Sequence, residues 1–424
     1  MCRAGHAPTV CRMRTLRRTI ATVLLAAVAA AGFGTPAAAG PSPVARGRLV
    51  AAHPVTTYQS RDQVAAFLAA NHFDATIARY GVSLHQLIYR TVDPNGRPTT
   101  ASGLLVLPLD GSSHLRTVSF GHGTSVYRGD APSLGTDPFL TGPAISFASA
   151  GFAAVAPDYL GLGAGTGPHP WMDVPTETSA SLDLLRAART FTAGQGRELD
   201  REVYASGFSQ GASAALGLAR ALRSGADPWF RAAAIAPISG GYALRRVEIP
   251  AALDPASGVV PRLAAAYLAY LLTSYDRWHD IYPDPAVVFT ADYVSIGDLF
   301  DAGHPGAQVL AGVPESPALL LTPAGRDLLS HPRGRFAAAL READSVCEWT
   351  PGVPVRLYFS PGDEQAVTGN TTACRGSFAA HGVRVPVVDA GVDTSYDGMV
   401  HEGSELLAVP MITRWFAGLA GMSL

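Results

Sequence analysis

From about Leu87 onward, short apolar runs alternate with longer segments whose apolar residues recur every three or four positions. The short runs, bounded by Gly, Pro or polar residues, read as buried strands, and the longer periodicity reads as helices. Strands are predicted at 104–107, 117–120, 152–156, 202–207, 232–238, 355–359 and 385–388. Helices are predicted at 144–150, 179–191 and 210–222, with a closing helix at 406–419. Alternation of this kind predicts an α/β fold, a mostly parallel sheet with helices on both faces. The rhythm lapses over residues 245–350, which are helical in pattern and punctuated by proline. That stretch reads as a helical cap inserted into a core made of residues 40–244 and 351–424.

The first 39 residues have a different character. Arg12, Arg14, Arg17 and Arg18 precede an apolar stretch from 20 to 31, and Ala37, Ala38 and Ala39 supply small residues at a cleavage position. These are the three parts of a secretory signal, so export and cleavage near Ala39-Gly40 are expected. The apolar stretch is shorter than the roughly 20 residues that a membrane-spanning helix needs.

The composition is globular, with 48% apolar and 16% charged residues and a net charge of -2. That balance argues against a nucleic-acid partner, which demands a concentrated basic surface. The chain has no lysine, so chemistry through a P-loop lysine or a lysine Schiff base is excluded. Cys347 and Cys374 are the two cysteines beyond the leader, and in an oxidising compartment they are expected to pair. Neither they nor His279, Asp280 and Asp284 have a metal-ligand spacing, so no metal and no cofactor are expected.

Gly207-Phe208-Ser209-Gln210-Gly211 matches G-x-S-x-G, between a predicted strand and a helix rich in small residues. A serine on so sharp a turn is pushed out of the chain, and its flanking positions leave no room for a side chain. This nucleophile elbow belongs to α/β-hydrolase enzymes, whose acid and base follow the serine in chain order. Asp363, just past the predicted strand at 355–359, is the expected acid, with Glu364 as its rival. His401, between the last strand and the closing helix, is the expected base. The imidazole takes the proton of the serine hydroxyl, which is a poor nucleophile without it. The carboxylate fixes the tautomer of the imidazole and stabilises its charged form.

Negative charge on the tetrahedral intermediate needs two backbone donors. One is expected from Gln210 and the other from Thr124, with Gly123 as rival, in the Gly121-His122-Gly123-Thr124 loop. His122 precedes the serine and is expected to shape that loop. The glycine cluster 161–167 misses the dinucleotide spacing, and Asp158 before it is expected to be structural. In the cap, Leu263, Tyr267, Leu268 and Leu271 recur at helical spacing and are candidates for lining the substrate site, with ordinary core packing as the alternative.

Taken together, His122-Gly123-Thr124, Ala131-Pro132-Ser133, Asp158 through Gly163, Ser181-Leu182-Asp183 and Ser209-Gln210-Gly211 resemble the secretory lipase family of α/β-hydrolases, in its bacterial branch. The resemblance covers the core from about residue 90, apart from the cap. It implies an exported lipase or esterase with Ser209, Asp363 and His401 as its triad and a helical cap before the acid strand. Asp130 stands where many relatives have Cys, and Ala212 replaces a more usual glycine. The expected partner is a small-molecule or lipid ester, with transient contact to a lipid surface compatible with it. A peptidase or an acyltransferase of the same fold is the alternative, and a non-catalytic binding protein is disfavoured by the intact triad. Oligomeric state is left open by the sequence.

Overall fold

The apolar runs meet in one nine-stranded sheet in the computed structural model, which describes residues 45–423. The expected signal at 1–39 lies outside the described residues. The strands are β1 (Leu49–Tyr58), β2 (Val82–Val92), β3 (Pro98–Pro108), β4 (His114–Gly121), β5 (Ala153–Pro157), β6 (Glu198–Phe208), β7 (Arg231–Ile238), β8 (Leu357–Phe359) and β9 (Val387–Asp389). Their order is β1-β2-β3-β5-β4-β6-β7-β8-β9. The first four in that order pair antiparallel, and every later pair is parallel. The parallel majority follows the strand–helix alternation of the sequence. β1 and β2 were not foreseen as strands, and Pro54 explains part of this for β1. It breaks the strand pattern, yet an edge strand tolerates a residue with no N–H to donate.

Side chains leave the sheet alternately on its two faces. Leu105, Leu107, Val203 and Ala205 point to a layer formed by α3 (Val174–Gly194) and α4 (Gln210–Arg223). Leu104, Val106 and Tyr204 point the other way, to α1 (Arg61–Ala70), α2 (Pro138–Ser149) and the closing helix. Burial of these two layers is the main stabilising term of the fold, at about 25 cal/mol per Å² of apolar surface.

Residues 245–350 are helical throughout their ordered elements, apart from isolated bridges between Phe289 and Leu321 and between Ala302 and Tyr127. The helices are α5 (Ile249–Leu253), α6 (Pro261–His279), α7 (Pro285–Val288), α8 (Gly306–Gly312), α9 (Pro317–Leu320), α10 (Pro323–Ser330) and α11 (Gly334–Asp344). The proline punctuation has a plain cause. Five of these helices carry Pro in their first turn, where no N–H is missed. Cys347 is disulfide-bonded to Cys374 in α12 (Gly369–Ala380), which ties the end of the stretch to the core. The closing helix, α13, spans Val400–Leu419 and so starts six residues before the expected Leu406. His401 therefore sits in its first turn and not in the loop before it. No helix among the described residues is long and apolar enough to cross a membrane.

Candidate active site

β6 ends at Phe208 and α4 begins at Gln210, so Ser209 must make the whole turn alone. Its backbone takes φ 54° and ψ -118°, a strained conformation for a residue with a Cβ. Its N–H donates to the Ile238 carbonyl at 2.9 Å, which anchors the turn to β7. A side chain on Gly207 would strike the Gly211 carbonyl, and one on Gly211 would strike the Gly121 carbonyl. The three glycines are what allow β4, β6 and α4 to converge beneath the serine hydroxyl.

His401 Nε2 lies 2.9 Å from Ser209 Oγ. On the other side of the ring, Nδ1 lies 2.8 and 3.0 Å from the two carboxylate oxygens of Asp363. Both His401 and Asp363 are buried, at 2% and 7% exposure, so their interaction is not diluted by water. Burial alone pushes the imidazole pKa down, but the charge and hydrogen bond of Asp363 outweigh it, and the net shift is upward. Asp363 Oδ1 is itself fixed by the N–H groups of Gln365 and Ala366. The rival acid, Glu364, turns elsewhere. Its carboxylate accepts the N–H groups of Val400 and His401, each at 3.1 Å, and so caps α13. Ser404 Oγ donates to the His401 carbonyl and Ser239 Oγ to Ser404 Oγ, which gives Ser239 a supporting place beside the helix.

Gln210 has an unforeseen setting. Its side-chain amide donates to His169 Nε2 at 2.8 Å and to Glu177 Oε1 at 2.7 Å, all three residues being buried. His169 gives its own Nδ1–H to the Leu160 carbonyl, and burial drives its pKa down to about 4, so Nε2 is free to accept. Burial pushes the Glu177 carboxyl up to about 8, so it carries its proton at neutral pH. This uncharged polar cluster clamps the residue that follows Ser209. Among the described residues, neither the Gln210 nor the Thr124 backbone N–H donates to another group. Thr124 Oγ1 receives the Trp171 indole N–H at 3.0 Å. His122 is buried and holds the Gly123 carbonyl at 2.7 Å, and its pKa falls to about 4 through burial. Asp158 is also structural in its contacts, accepting from Ser102 Oγ, Ser133 Oγ and Ser133 N–H.

Two cavities open on Ser209. The inner one, of about 50 Å³, is lined by Thr124, Gln210, Trp171, Met172, Leu244, Glu248 and Tyr267 among others. The outer one, of about 200 Å³, adds His401 and four carboxylates, Asp130, Asp137, Asp397 and Glu402. Of the cap residues foreseen for the substrate, Tyr267 alone reaches these cavities. Leu268 and Leu271 are buried in the core, and Leu263 lies off both linings, so these three are corrected. Tyr267 and Tyr270 both stack on Trp171, at centroid distances of 5.8 and 4.8 Å, and orient the helix. Tyr267 also donates its hydroxyl to Gln365, whose amide reaches Glu402, so α6 and the acid loop are joined. Among the described residues no three His, Cys, Asp or Glu side chains converge as metal ligands.

No family model and no curated protein matches the chain by sequence. Solved structures do. The rice cell wall degrading esterase LipA from Xanthomonas oryzae is 26% identical, with a TM-score of 0.78 over 87% of this chain and 98% of that one. The chain is an α/β-hydrolase of the esterase and lipase type. A putative hydrolase from Legionella pneumophila is 22% identical, with a TM-score of 0.78 over 88% of this chain and 98% of its own. Candida antarctica lipase A is 17% identical, with a TM-score of 0.59 over 81% of this chain and 76% of that one. These two share the fold. Sequence reasoning missed His169, Trp171, Glu177 and Glu248, which come from distant segments and follow no local motif, and the contacts of Gln365, two residues past Asp363.

Proposed function

We propose that the protein is an exported esterase that cleaves carboxylic esters through a Ser209–His401–Asp363 triad. The observation that carries this reading is the run of contacts from Ser209 Oγ to His401 Nε2 and from His401 Nδ1 to Asp363. In the first half-reaction Ser209 Oγ attacks the ester carbonyl carbon while His401 Nε2 takes its proton. The carbonyl oxygen gains negative charge, which the Gln210 and Thr124 N–H groups receive. His401 then returns the proton to the leaving alkoxide oxygen, and the acyl group stays on Ser209. Water repeats the sequence from the same side, and the acid is released. Asp363 holds the ring in place and steadies the imidazolium in both halves.

Residues 245–350 serve as the cap over this site, with Glu248 and Tyr267 lining the inner cavity and Tyr267 and Gly306 the outer one. The inner cavity of about 50 Å³ has room for a few carbons, so short acyl chains are the favoured substrates. Glu315, Glu342 and Asp344, cap carboxylates that could hold the N-terminus of a peptide substrate, lie off both cavities. Glu315 pairs with Arg262 at the surface, Asp344 meets Arg245, and Glu342 is exposed. The leader directs export, which accords with the disulfide.

Initial rates on p-nitrophenyl esters from acetate to palmitate, for wild type and Ser209→Ala, test the reading. Hydrolysis falling off beyond short chains, and lost on the order of 10⁶-fold in the variant, is expected. Equal rates in the two proteins would remove Ser209 from the mechanism, and inertness toward every ester would remove the esterase.

A further inference from the structure

We propose that Glu248 is a specificity-determining residue of the acyl side of the site, and that it selects short acyl chains bearing a hydroxyl group. This rests on the reading of Ser209 as an ester-cleaving nucleophile.

The two cavities divide the substrate between them. His401 must reach the leaving oxygen to return its proton, and His401 lines the outer cavity and not the inner one. The leaving alcohol therefore lies outward, and the acyl chain points into the inner cavity. That cavity is walled chiefly by Trp171, Met172, Leu244 and Tyr267, and Glu248 is the one ionisable carboxyl on it.

Glu248 is put there by a wide π-helical turn, Leu244–Glu248, in which its N–H reaches back to the Ala243 carbonyl. Such turns are uncommon and recur at functional sites, because they redirect side chains that an α-helix would bury. One carboxyl oxygen, Oε2, accepts from Asn370 Nδ2. Asn370 is buried and held in turn, its Oδ1 accepting from Ala243 N–H at 3.1 Å and its Nδ2 also donating to the Val367 carbonyl. No Arg or His forms an ion pair with this carboxyl among the described residues, and beside Asn370 its one further hydrogen-bonding neighbour is the Val367 backbone N–H. Burial, with the charge of Asp363 adding to it, raises the Glu248 pKa to about 8. At neutral pH the group is an uncharged acid whose Oε2 accepts from Asn370, so its O–H belongs on Oε1.

A plain alkyl chain entering the cavity strips water from that O–H and offers nothing in return. A hydroxyl on the acyl chain both donates and accepts, and satisfies it. Sites built around a buried polar group discriminate against ligands that lack the matching group far more strongly than apolar pockets discriminate by size. An ammonium group is the poorer match, because it would require Glu248 to lose its proton.

The experiment compares kcat/KM on p-nitrophenyl butyrate, 3-hydroxybutyrate and 3-aminobutyrate for wild type, Glu248→Leu and Glu248→Gln. Wild type is expected to favour the hydroxy ester over the plain one by about tenfold or more. In Glu248→Leu the ratio should collapse to about one, by loss on the hydroxy ester and gain on the plain one. Glu248→Gln, whose amide still donates and accepts, should recover much of the preference. A wild-type ratio at or below one overturns the assignment without any variant, as does a ratio that Glu248→Leu leaves unmoved. Preference for the amino ester overturns it in favour of cation recognition. Fluorophosphonate labelling of Ser209 in each protein separates the two possible failures. Hydrolysis of butyrate by a labelled enzyme without the preference faults Glu248 alone, and an unlabelled, inert wild type faults the esterase reading itself.

Discussion

Glu364 accepts the backbone N–H of His401 at 3.1 Å, while its neighbour Asp363 holds the ring of the same residue. One dipeptide thus fixes the histidine twice, by main chain and by side chain. The carboxylate of Glu364 also accepts from Val400, so it satisfies two of the orphan donors at the start of α13. Removing it leaves the ring of His401 partnered but its helix turn free to shift. Glu364→Ala should cost about 1 kcal/mol of stability, as loss of a helix cap does. It should also lower kcat roughly tenfold, the price of a small misplacement of a general base. Glu364→Gln, which keeps one acceptor, should fall between. Thermal unfolding with rates of p-nitrophenyl acetate hydrolysis checks this, and a Glu364→Ala enzyme as fast as wild type would refute the positioning role.

The raised pKa of His401 sets the pH dependence. A general base works only when neutral, so activity should climb as pH rises through the His401 pKa. Asp363 places that pKa above the ordinary 6.5, and the acid limb of kcat/KM should therefore fall above 6.5. The same shift has a stability counterpart of opposite trend. The charged pair stabilises the fold fully below the unfolded pKa of about 6.5 and loses that contribution as pH rises through the higher folded value. Asp363→Asn should abolish both effects. A wild-type limb centred well below 6.5 would mean that another group limits the rate.

Cys347 and Cys374 are 27 residues apart, and their bond closes the end of the cap stretch onto α12. Cross-linking a loop of that length is worth on the order of 3–4 kcal/mol through the unfolded chain. The double variant Cys347→Ser, Cys374→Ser should lose about that much stability in denaturant titration. The triad itself is not built from these residues, so the specific activity of the fraction that folds should hold. An unchanged unfolding midpoint would show that the bond constrains neither state.

How far the sequence reveals this molecule depends on how local each cause is. The elbow at Ser209 was legible because its needs, two glycines and a strand–turn–helix, lie within a few residues of one another. Asp363 and His401 were legible from chain order alone, since the fold imposes that order. The start of α13 was misplaced because Gly403 looks like a helix breaker. Yet Gly403 is where a side chain would meet the Asp393 carbonyl, and Glu364 supplies the cap from 36 residues away. In α6, buried residues continue almost unbroken from Ala264 to Tyr275, so periodicity could not show which face meets the cavity. Leu268 and Leu271 were lost to the core for that reason, while Tyr267 was kept.

Glu177 offers a test of the cluster behind Gln210. Burial raises its folded pKa from 4.5 to about 8, so the folded protein binds a proton that the unfolded chain releases above 4.5. Stability must then fall as pH rises from about 4.5 to about 8. The fall amounts to as much as on the order of 4 kcal/mol for this one group. Glu177→Gln cannot titrate and still presents an oxygen to the Gln210 amide. Relative to wild type it should therefore gain stability steadily between pH 5 and pH 8, with kcat near neutrality little changed. Glu177→Leu should behave differently in activity. It leaves the Gln210 amide with one partner fewer in a dry interior, and the backbone N–H proposed to receive the oxyanion loses its brace. A roughly tenfold drop in kcat with KM nearly constant is expected, because the interaction is made in the transition state. Denaturant titrations of the three proteins at pH 5, 6.5 and 8, beside steady-state kinetics, decide the matter. Parallel stability curves for wild type and Glu177→Gln would mean that the carboxyl is ionised in place, and that a positive partner or water shields it.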